Sequence, residues 1–166
     1  MIRLAKKEDA KDIISLLEEV LLVHNKIRPD LYKEAGSKYN EEELNKIIAD
    51  EKYLIYVCEE DDKVVGHCIV IKEEKKETNS TLPYKSLYID DLCVREEYRN
   101  KGIATSLYKK VKEYAINNGY YNLTLHAYNG NEAVEFYKKL GMDVMMYTFE
   151  EVVKKRSSKE RFILLI

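Results

Sequence analysis

Apolar residues recur along the chain with two different periods, and these periods separate the predicted helices from the predicted strands. Spacings of three and four residues predict helices, whereas alternation and short apolar runs predict strands. The sequence therefore predicts elements in the order β-α-α-β-β-β-α-β-α-β-β. The predicted strands are residues 2–5, 53–59, 64–72, 86–94, 122–127, 143 to about 152 and 161–166, and the predicted helices are residues 8–24, 40–48, 102–117 and 131–140.

The order of these elements predicts how the strands pair. Residues 60–63 are all polar and join the second and third strands as a hairpin, so consecutive strands in the middle of the chain should pair antiparallel. The strand-helix-strand from Tyr88 to Ala127 requires a right-handed parallel crossover. We therefore expect an α/β fold (α+β mixed), with one mixed, mostly antiparallel sheet of about seven strands and helices on both faces. At 166 residues and without a linker, the chain predicts a single domain over residues 1–166.

Charge and composition narrow the range of functions. The chain has 28 basic and 30 acidic residues and a net charge of -2, which disfavours a nucleic-acid binder. Its first residues lack the apolar segment of a signal peptide, and no uncharged apolar run approaches the roughly 20 residues that span a bilayer. Cys58, Cys68 and Cys93 are widely spaced, which predicts neither a zinc site nor a disulfide framework. We expect a cytoplasmic protein without a metal, a membrane or a nucleic-acid partner.

The turn that follows the strand 86–94 carries the first candidate chemistry. A helix opens there with Gly102, and a helix start offers unpaired backbone N–H groups and a positive dipole end that suit a phosphate. Gly102 lets the backbone approach an anion, Ala104 keeps the next position small, and Lys101 adds a positive charge. Such a turn is common in itself. No G-x-G-x-x-G and no G-x-x-x-x-G-K-[ST] is present, which excludes ordinary dinucleotide and P-loop sites.

Two segments together resemble a known family. Arg99 to Ala104, Arg-Asn-Lys-Gly-Ile-Ala, resembles the R/Q-x-x-G-x-G/A pyrophosphate loop of the GNAT N-acetyltransferases. Residues 131–142 are similar to the second signature of that family, N-x-x-A-x-x-x-Y-x-x-x-G-F/M. The resemblance covers essentially the whole chain, and the predicted element order agrees with it. One position departs from the pattern: Gly130 stands where the family asparagine is usual, so Asn129 and Asn131 remain alternatives for that contact.

The resemblance implies an enzyme that uses acetyl-CoA as its cosubstrate. In the family the fourth and fifth strands splay apart and coenzyme A lies between them. Here the N–H of Leu92 would face the thioester carbonyl, and Val94 would pair with the pantetheine arm. The residues implied to contact the cosubstrate are Leu92, Cys93, Val94, Arg99, Asn100, Lys101, Gly102, Ile103, Ala104, Thr105 and the pair Asn129 and Asn131.

Tyr137 matches the family tyrosine that lies near the sulfur. Its hydroxyl is therefore expected to protonate the leaving thiolate as a general acid. The alternative is that Tyr137 is one of 14 tyrosines and packs a helix against the sheet. Cys93 beside the thioester would permit a covalent route, but direct transfer is what the resemblance implies.

An acidic pair, Asp90 and Asp91, lies in the middle of a predicted strand, where a carboxylate is unfavourable unless it is paired or functional. The segment resembles the spermidine/spermine-type GNAT members, which implies Asp90 as the base, directly or through water. Asp91 is expected to be structural and to anchor a loop or the first helix. Strand alternation predicts that one face carries Tyr88, Asp90, Leu92 and Val94.

The acceptor is expected to be a primary amine of a small molecule or of a peptide. A polyamine-like cation is favoured by the acidic pair and by acidic residues near the expected acceptor side, which are Glu18, Glu19, Asp30 and Glu34. The alternative function is a non-catalytic acyl-CoA-binding or sensor domain. His126 is a candidate for lining the acceptor pocket, and the apolar residues 162–166 predict a homodimer because such a strand must be covered.

Overall fold

The core of the molecule is one mixed sheet. A computed structural model describes residues 1–154. Its strands are β1 Ile2–Leu4, β2 Tyr53–Glu60, β3 Lys63–Lys75, β4 Tyr84–Val94 and β5 Asn122–Thr124. They lie side by side in chain order; β1 to β4 pair antiparallel, and β5 pairs parallel to β4. The predicted mixed, mostly antiparallel sheet is confirmed.

Helices cover both faces of the sheet, as predicted. They are α1 Ala10–Ile27, α2 Glu41–Ala49, α3 Ile103–Asn117 and α4 Ala133–Lys139. On one face, Leu16 of α1 and Leu44 of α2 are fully buried in one cluster with Ile69 of β3. On the other face, Leu107 of α3 is fully buried with Leu87 of β4. Each fully buried leucine stabilises the fold by about 1.5–3 kcal/mol. Within residues 1–154 no helix is both long and apolar enough to cross a membrane.

The hairpin between β2 and β3 has a two-residue loop, because Glu60 pairs with Lys63. Asp61 and Asp62 form its two-residue loop, with φ of 48° and 60°. Positive φ at both central residues is typical of a type I′ turn, whose twist matches that of the strands. Aspartate tolerates this left-handed conformation better than most residues. The predicted hairpin is confirmed, and its strands extend closer to the turn than predicted.

The C-terminal part of the predicted sheet needs correction. The strand predicted for residues 143 to about 152 is wrong, because the segment 143–154 forms no strand and pairs with no described backbone. Apolar alternation produces a strand only where a neighbour supplies hydrogen bonds. β5 ends at Thr124 and not at Ala127. The last predicted strand, residues 161–166, lies outside the described residues.

A charged network ties the first strand to the first helix. Arg3 of β1 donates to both oxygens of Asp9 at 2.7 and 2.9 Å and to Glu59 Oε2 of β2 at 2.6 Å. The N–H of Lys6 also donates to Asp9, at 2.7 Å. Burial raises the pKa of the Asp9 carboxyl, but the hydrogen bonds from Arg3 and Lys6 outweigh it, so the pKa lies below its ordinary value. Asp9 therefore joins β1 to the start of the first helix.

Asp9→Asn should lower the free energy of unfolding at neutral pH by about 2 kcal/mol, the order of a hydrogen bond to a charged group. Because the pKa of Asp9 is depressed in the folded state, its contribution is present above the ordinary aspartate pKa and is lost as the pH falls through the folded value. The difference between wild type and variant in urea denaturation should therefore shrink on acidification. Glu8→Gln changes an exposed neighbour and should stay within about 0.5 kcal/mol of wild type. A difference that is constant with pH would contradict this role of Asp9.

Candidate active site

β4 and β5 part soon after they meet. Their parallel ladder has three pairs and ends where Tyr88 stands opposite Thr124. Within residues 1–154, no other strand pairs with β4 on this side, so residues 89–94 border a gap. The predicted splay between the two strands is therefore present.

Backbone groups of β4 point into this gap. The N–H of Arg95 donates to the carbonyl of Val65 at 2.8 Å, which makes these two residues a hydrogen-bonded pair. In an antiparallel ladder, alternate residues turn their backbone groups to the same neighbour. The N–H and C=O of Leu92 and Val94 therefore point away from β3 and towards the gap. The carbonyl of Val94 accepts a hydrogen bond from Arg99 Nε at 2.9 Å.

A β-bulge lies next to these residues. Asp91 stands opposite Ile69, and Ile89 stands opposite Val70, so Asp90 is an additional residue without a partner in the ladder. A bulge of one residue shifts the alternation of side chains beyond it.

The bulge overturns the predicted faces of β4. Ile89 belongs to the cluster beneath α3, and Leu92 packs against the same cluster, although one is odd and the other even in number. Cys93 belongs instead to the cluster beneath α1. The prediction that Tyr88, Asp90, Leu92 and Val94 share one face is therefore wrong, because strict alternation does not continue through the bulge.

The loop after β4 leads to an open helix start. Asn100 and Gly102 have φ of 61° and 80°, and α3 begins at Ile103. A Cβ added to Gly102 would have no heavy atom within 4 Å, so the space before the helix is open. The first N–H groups of α3 lack partners within the helix, and its dipole is positive there. The structure thus brings residues 99–105 together at a site that suits an anion.

Arginines of this loop pair with the first helix. Arg95 Nη1 lies 3.4 Å and Arg99 Nη2 lies 3.5 Å from carboxylate oxygens of Glu19 in α1. Glu19, one of the acidic residues expected near the acceptor side, is thus paired with the loop after β4. Asp30 is likewise paired within the protein, with Arg28 at 2.7 Å.

Asp90 is a nearly buried carboxylate with a cationic partner. Lys38 Nζ donates to its two oxygens at 2.7 and 2.6 Å, and the hydroxyl of Tyr39 donates at 3.3 Å. The Asp90 side chain is 10% exposed, and that of Lys38 is 45% exposed. Lys38 and Tyr39 lie in the loop between α1 and α2. Nothing in the sequence pattern connected them with β4.

Asp91 is paired too, on the neighbouring strand. Its Oδ1 lies 2.6 Å from Nε2 of His67 in β3, and the His67 side chain is fully buried. His67 Nδ1 has no hydrogen-bond partner within the described residues. Asp91 thus anchors a strand, not the loop or first helix that the sequence suggested. Both acidic residues avoid the cost of a buried, unpaired charge.

The hydroxyl of Tyr137 in α4 lies near Cys68 of β3 and near Asp91 and Cys93 of β4. Burial is the main cause of its raised pKa, and the negative charge of nearby Asp91 raises the pKa further. The hydroxyl is therefore protonated at neutral pH. Within residues 1–154 it forms no hydrogen bond, which leaves its proton available.

The thiol of Cys93 faces the protein interior. Its Sγ lies 3.6 Å from the carbonyl of Leu16 in α1. Burial, and then the charge of Asp91, raise the pKa of this thiol to about 12, so it is not a thiolate at neutral pH. These properties describe a packing residue and argue against the covalent route.

The two candidate asparagines differ in their surroundings. Asn131 Oδ1 accepts a hydrogen bond from the N–H of Ala133 at 2.9 Å and so orders the start of α4. Asn129 is exposed. Asn129 is therefore the residue whose amide is not used by the loop itself.

Two groups of aromatic side chains lie in this part of the structure; of their members, the sequence pointed to His126 but not to Tyr32 and Tyr128. The hydroxyls of Tyr32 and Tyr128 lie 3.1 Å apart, and the ring of His24 is 4.9 Å from that of Tyr32. Tyr88 lies beside the exposed His126, with ring centroids 5.3 Å apart. Tyrosines are frequent in this chain, and no periodicity distinguishes these from core tyrosines.

One pocket of the described structure lies apart from the predicted site residues, and the described residues hold no candidate metal-binding group. A pocket of about 310 Å³ lies between the C-terminal half of α3, the start of β5 and residues 141–143, and none of the predicted site residues lines it. Within residues 1–154, no group of three or more histidine, cysteine or acidic side chains is placed to hold a metal.

Comparison of the sequence with known families gives one match over most of the chain. Residues 19–142 match the model described as Acetyltransferase (GNAT) family. The chain is 35% identical over 77 residues to the thialysine N-epsilon-acetyltransferase of Bos taurus, a match that covers 46% of this chain and 45% of the bovine protein. The chain therefore spans less than half the length of the curated relatives it matches.

Solved structures share the fold at low identity. A mutant of the BH1408 protein from Bacillus halodurans superimposes with a TM-score of 0.89 at 24% identity, over 93% of this chain and 99% of that one. An aminoglycoside acetyltransferase from an uncultured soil metagenomic sample has a TM-score of 0.68 at 18% identity, over 93% and 96% of the two chains. Identities this low establish the fold alone.

Asp91→Leu should lower the free energy of unfolding by about 3 kcal/mol, because it leaves the fully buried His67 without either partner. Asp91→Asn keeps an acceptor oxygen and should cost less. Asp90→Asn is the matched control on the same strand, and should cost at most about 1 kcal/mol because Lys38 is exposed. Urea denaturation measures all three, and equal losses for Asp91→Leu and Asp90→Asn would refute the structural role.

Proposed function

The chain belongs to the GNAT acetyltransferase family, and from that premise we propose that it transfers an acetyl group from acetyl-CoA to a primary amine. One observation carries the proposal: the gap beside Leu92 and Val94 adjoins the open helix start at Gly102. A thioester arm and a pyrophosphate need these two features next to each other.

The start of α3 is proposed to hold the pyrophosphate. Backbone N–H groups of residues 99–105 are the donors, and the open space before Gly102 admits the anion. Lys101 contributes charge, with its Nζ 4.8 Å from the centre of the Tyr98 ring. Asn129 is the proposed asparagine contact, since Asn131 is engaged within its own loop.

β4 is proposed to bind the acyl end. Acetyl-CoA supplies an activated acetyl group as a thioester. The N–H of Leu92 faces the gap and would stabilise negative charge that develops on the thioester oxygen during attack, an effect often worth about 3 kcal/mol. The backbone of Val94 would pair with the pantetheine arm, in the way a neighbouring strand would.

Tyr137 is the proposed general acid. Its raised pKa keeps the proton on the hydroxyl at neutral pH, and that proton can pass to the departing thiolate. The amine attacks the acetyl carbon directly, since the thiol of Cys93 is protonated and faces α1.

Asp90 is the proposed base for the acceptor amine, directly or through water. An amine has a pKa near 10 and must lose a proton before or during attack. The names of the relatives, thialysine and aminoglycoside acetyltransferases, refer to amines of small molecules. A cationic small-molecule amine suits the carboxylate of Asp90 and the aromatic side chains around it.

We also propose a homodimer. Large apolar side chains between residues 144 and 153 are exposed, among them Met146, Phe149 and Val153. An apolar strip of this kind is typical of a surface that another chain covers.

Gly102→Glu should weaken the binding of acetyl-CoA at least tenfold, about 1.4 kcal/mol, because it adds bulk and negative charge where the pyrophosphate is proposed to lie. Isothermal calorimetry measures the affinity. Gly119→Glu is the matched control: Gly119 also has positive φ, 68°, and open space around it, but it follows the other end of α3. Both variants carry the same backbone strain, so only the first should lose affinity. Wild-type affinity in folded Gly102→Glu would remove this site.

Tyr137→Phe should reduce turnover by about 10²- to 10⁴-fold if proton transfer limits the rate, while acetyl-CoA affinity and thermal stability hold. Thiol release from acetyl-CoA with a panel of amines measures turnover. Tyr108→Phe, which alters a buried tyrosine of α3, should keep full activity. Full activity of Tyr137→Phe would make this tyrosine a packing residue. No thiol release by the wild type with any amine would favour an acyl-CoA-binding sensor.

A further inference from the structure

Lys38 is held in the manner of a bound cation. Its Nζ donates to both oxygens of Asp90, at 2.7 and 2.6 Å, and lies 5.5 Å from the centre of the Tyr39 ring. The Tyr39 hydroxyl also donates to Asp90, at 3.3 Å. A carboxylate together with an aromatic ring is a common environment for an alkylammonium. The protein thus fills this environment with its own ammonium group.

The pair is asymmetric in a way that permits exchange. The Asp90 side chain is 10% exposed and belongs to β4, so it is fixed and needs a cation nearby. The Lys38 side chain is 45% exposed and stands on the loop between α1 and α2. Its ammonium can move into water without opening the core. Asp91 cannot replace it as a partner, since it is also acidic and is bonded to His67.

We infer that the ammonium of Lys38 occupies the place of the acceptor ammonium, and that the acceptor displaces it from Asp90. This inference rests on the proposed function, in which Asp90 receives the acceptor amine. An alkylammonium that replaces Lys38 leaves the charge next to Asp90 unchanged, whereas a neutral ligand leaves the carboxylate without a cation. Lys38 is therefore a specificity-determining residue, and it selects acceptors that arrive as alkylammonium ions.

Competition of this kind has a measurable effect. The apparent association constant for an acceptor equals its intrinsic value multiplied by the fraction of molecules in which Asp90 is free of Lys38. Because the Lys38 end of the ion pair is 45% exposed, the pair is weak, and this fraction is small but not negligible, on the order of one fifth. Removal of the competitor should therefore strengthen acceptor binding about fivefold.

Calorimetric titration with 1,3-diaminopropane, without acetyl-CoA, tests the inference independently of turnover. Lys38→Met keeps the chain length and removes the charge, and should lower Kd about fivefold. Lys38→Arg can hold the carboxylate with two parallel hydrogen bonds and should raise Kd. Lys46→Met is the matched control, since Lys46 pairs with Glu42 at 2.7 Å on the surface of α2, and its Kd should equal that of wild type. In an Asp90→Asn background, Lys38→Met should leave Kd unchanged.

The outcomes distinguish a failure of this inference from a failure of the proposed function. A Kd for Lys38→Met that equals or exceeds the wild-type value in a folded protein would overturn the inference. If Lys38→Met does not fold, Lys38→Arg decides, and a wild-type or lower Kd for that variant would overturn it. A purely structural Lys38 would not move Kd in opposite directions in the two variants. If Kd shifts as expected but no amine releases thiol from acetyl-CoA, the proposed function fails and the exchange at Asp90 stands.

Discussion

The extra residue at Asp90 is the constraint on which the site depends. Without the bulge, the acidic residues of β4 would point to opposite faces, and one of them would enter the cluster beneath α3. With it, Asp90 meets Lys38 from the loop between α1 and α2, and Asp91 meets His67 on β3. Because the bulge shifts the alternation, Leu92 packs against the α3 cluster, and its N–H and C=O point away from β3 towards the gap. The one extra residue in the ladder therefore determines both the face to which each side chain points and the backbone groups that border the gap.

The two carboxylates differ in how far their partner side chains are exposed to water. Asp91 is bonded to a fully buried histidine inside the sheet, where neither group can leave. Asp90 is bonded to a lysine that reaches water. Adjacent residues of the same type thus differ in their pairing: Asp91 is bonded to a buried histidine on the next strand, whereas Asp90 is bonded to a lysine that is partly exposed.

Local patterns predicted the elements well and their long-range partners poorly. The helix predicted to start at residue 40 has Asn40 as its N-cap, with Asn40 and Glu43 exchanging the two hydrogen bonds of a capping box, and α3 begins where Gly102 predicted. The family motifs also pointed to Leu92 and Val94, although their contacts with a cosubstrate stay a prediction. The bulge, and the pairs that Asp90 and Asp91 form, depend on segments over 20 residues away that no local periodicity encodes. Residues 143–152 show the same limit: their pattern is that of a strand, but a strand also needs a neighbour.

The three-pair ladder between β4 and β5 has a mechanical consequence. β5 and the segment that follows it are joined to the four antiparallel strands by few backbone hydrogen bonds. Regions joined so sparsely open locally at a lower free energy than the core does, and their amides exchange with solvent sooner. A ligand that enters between β4 and β5 would therefore insert beside one of the two shortest ladders of the described sheet. A ligand bound there would bridge β4 and β5, so its occupancy would reduce the local opening of β5.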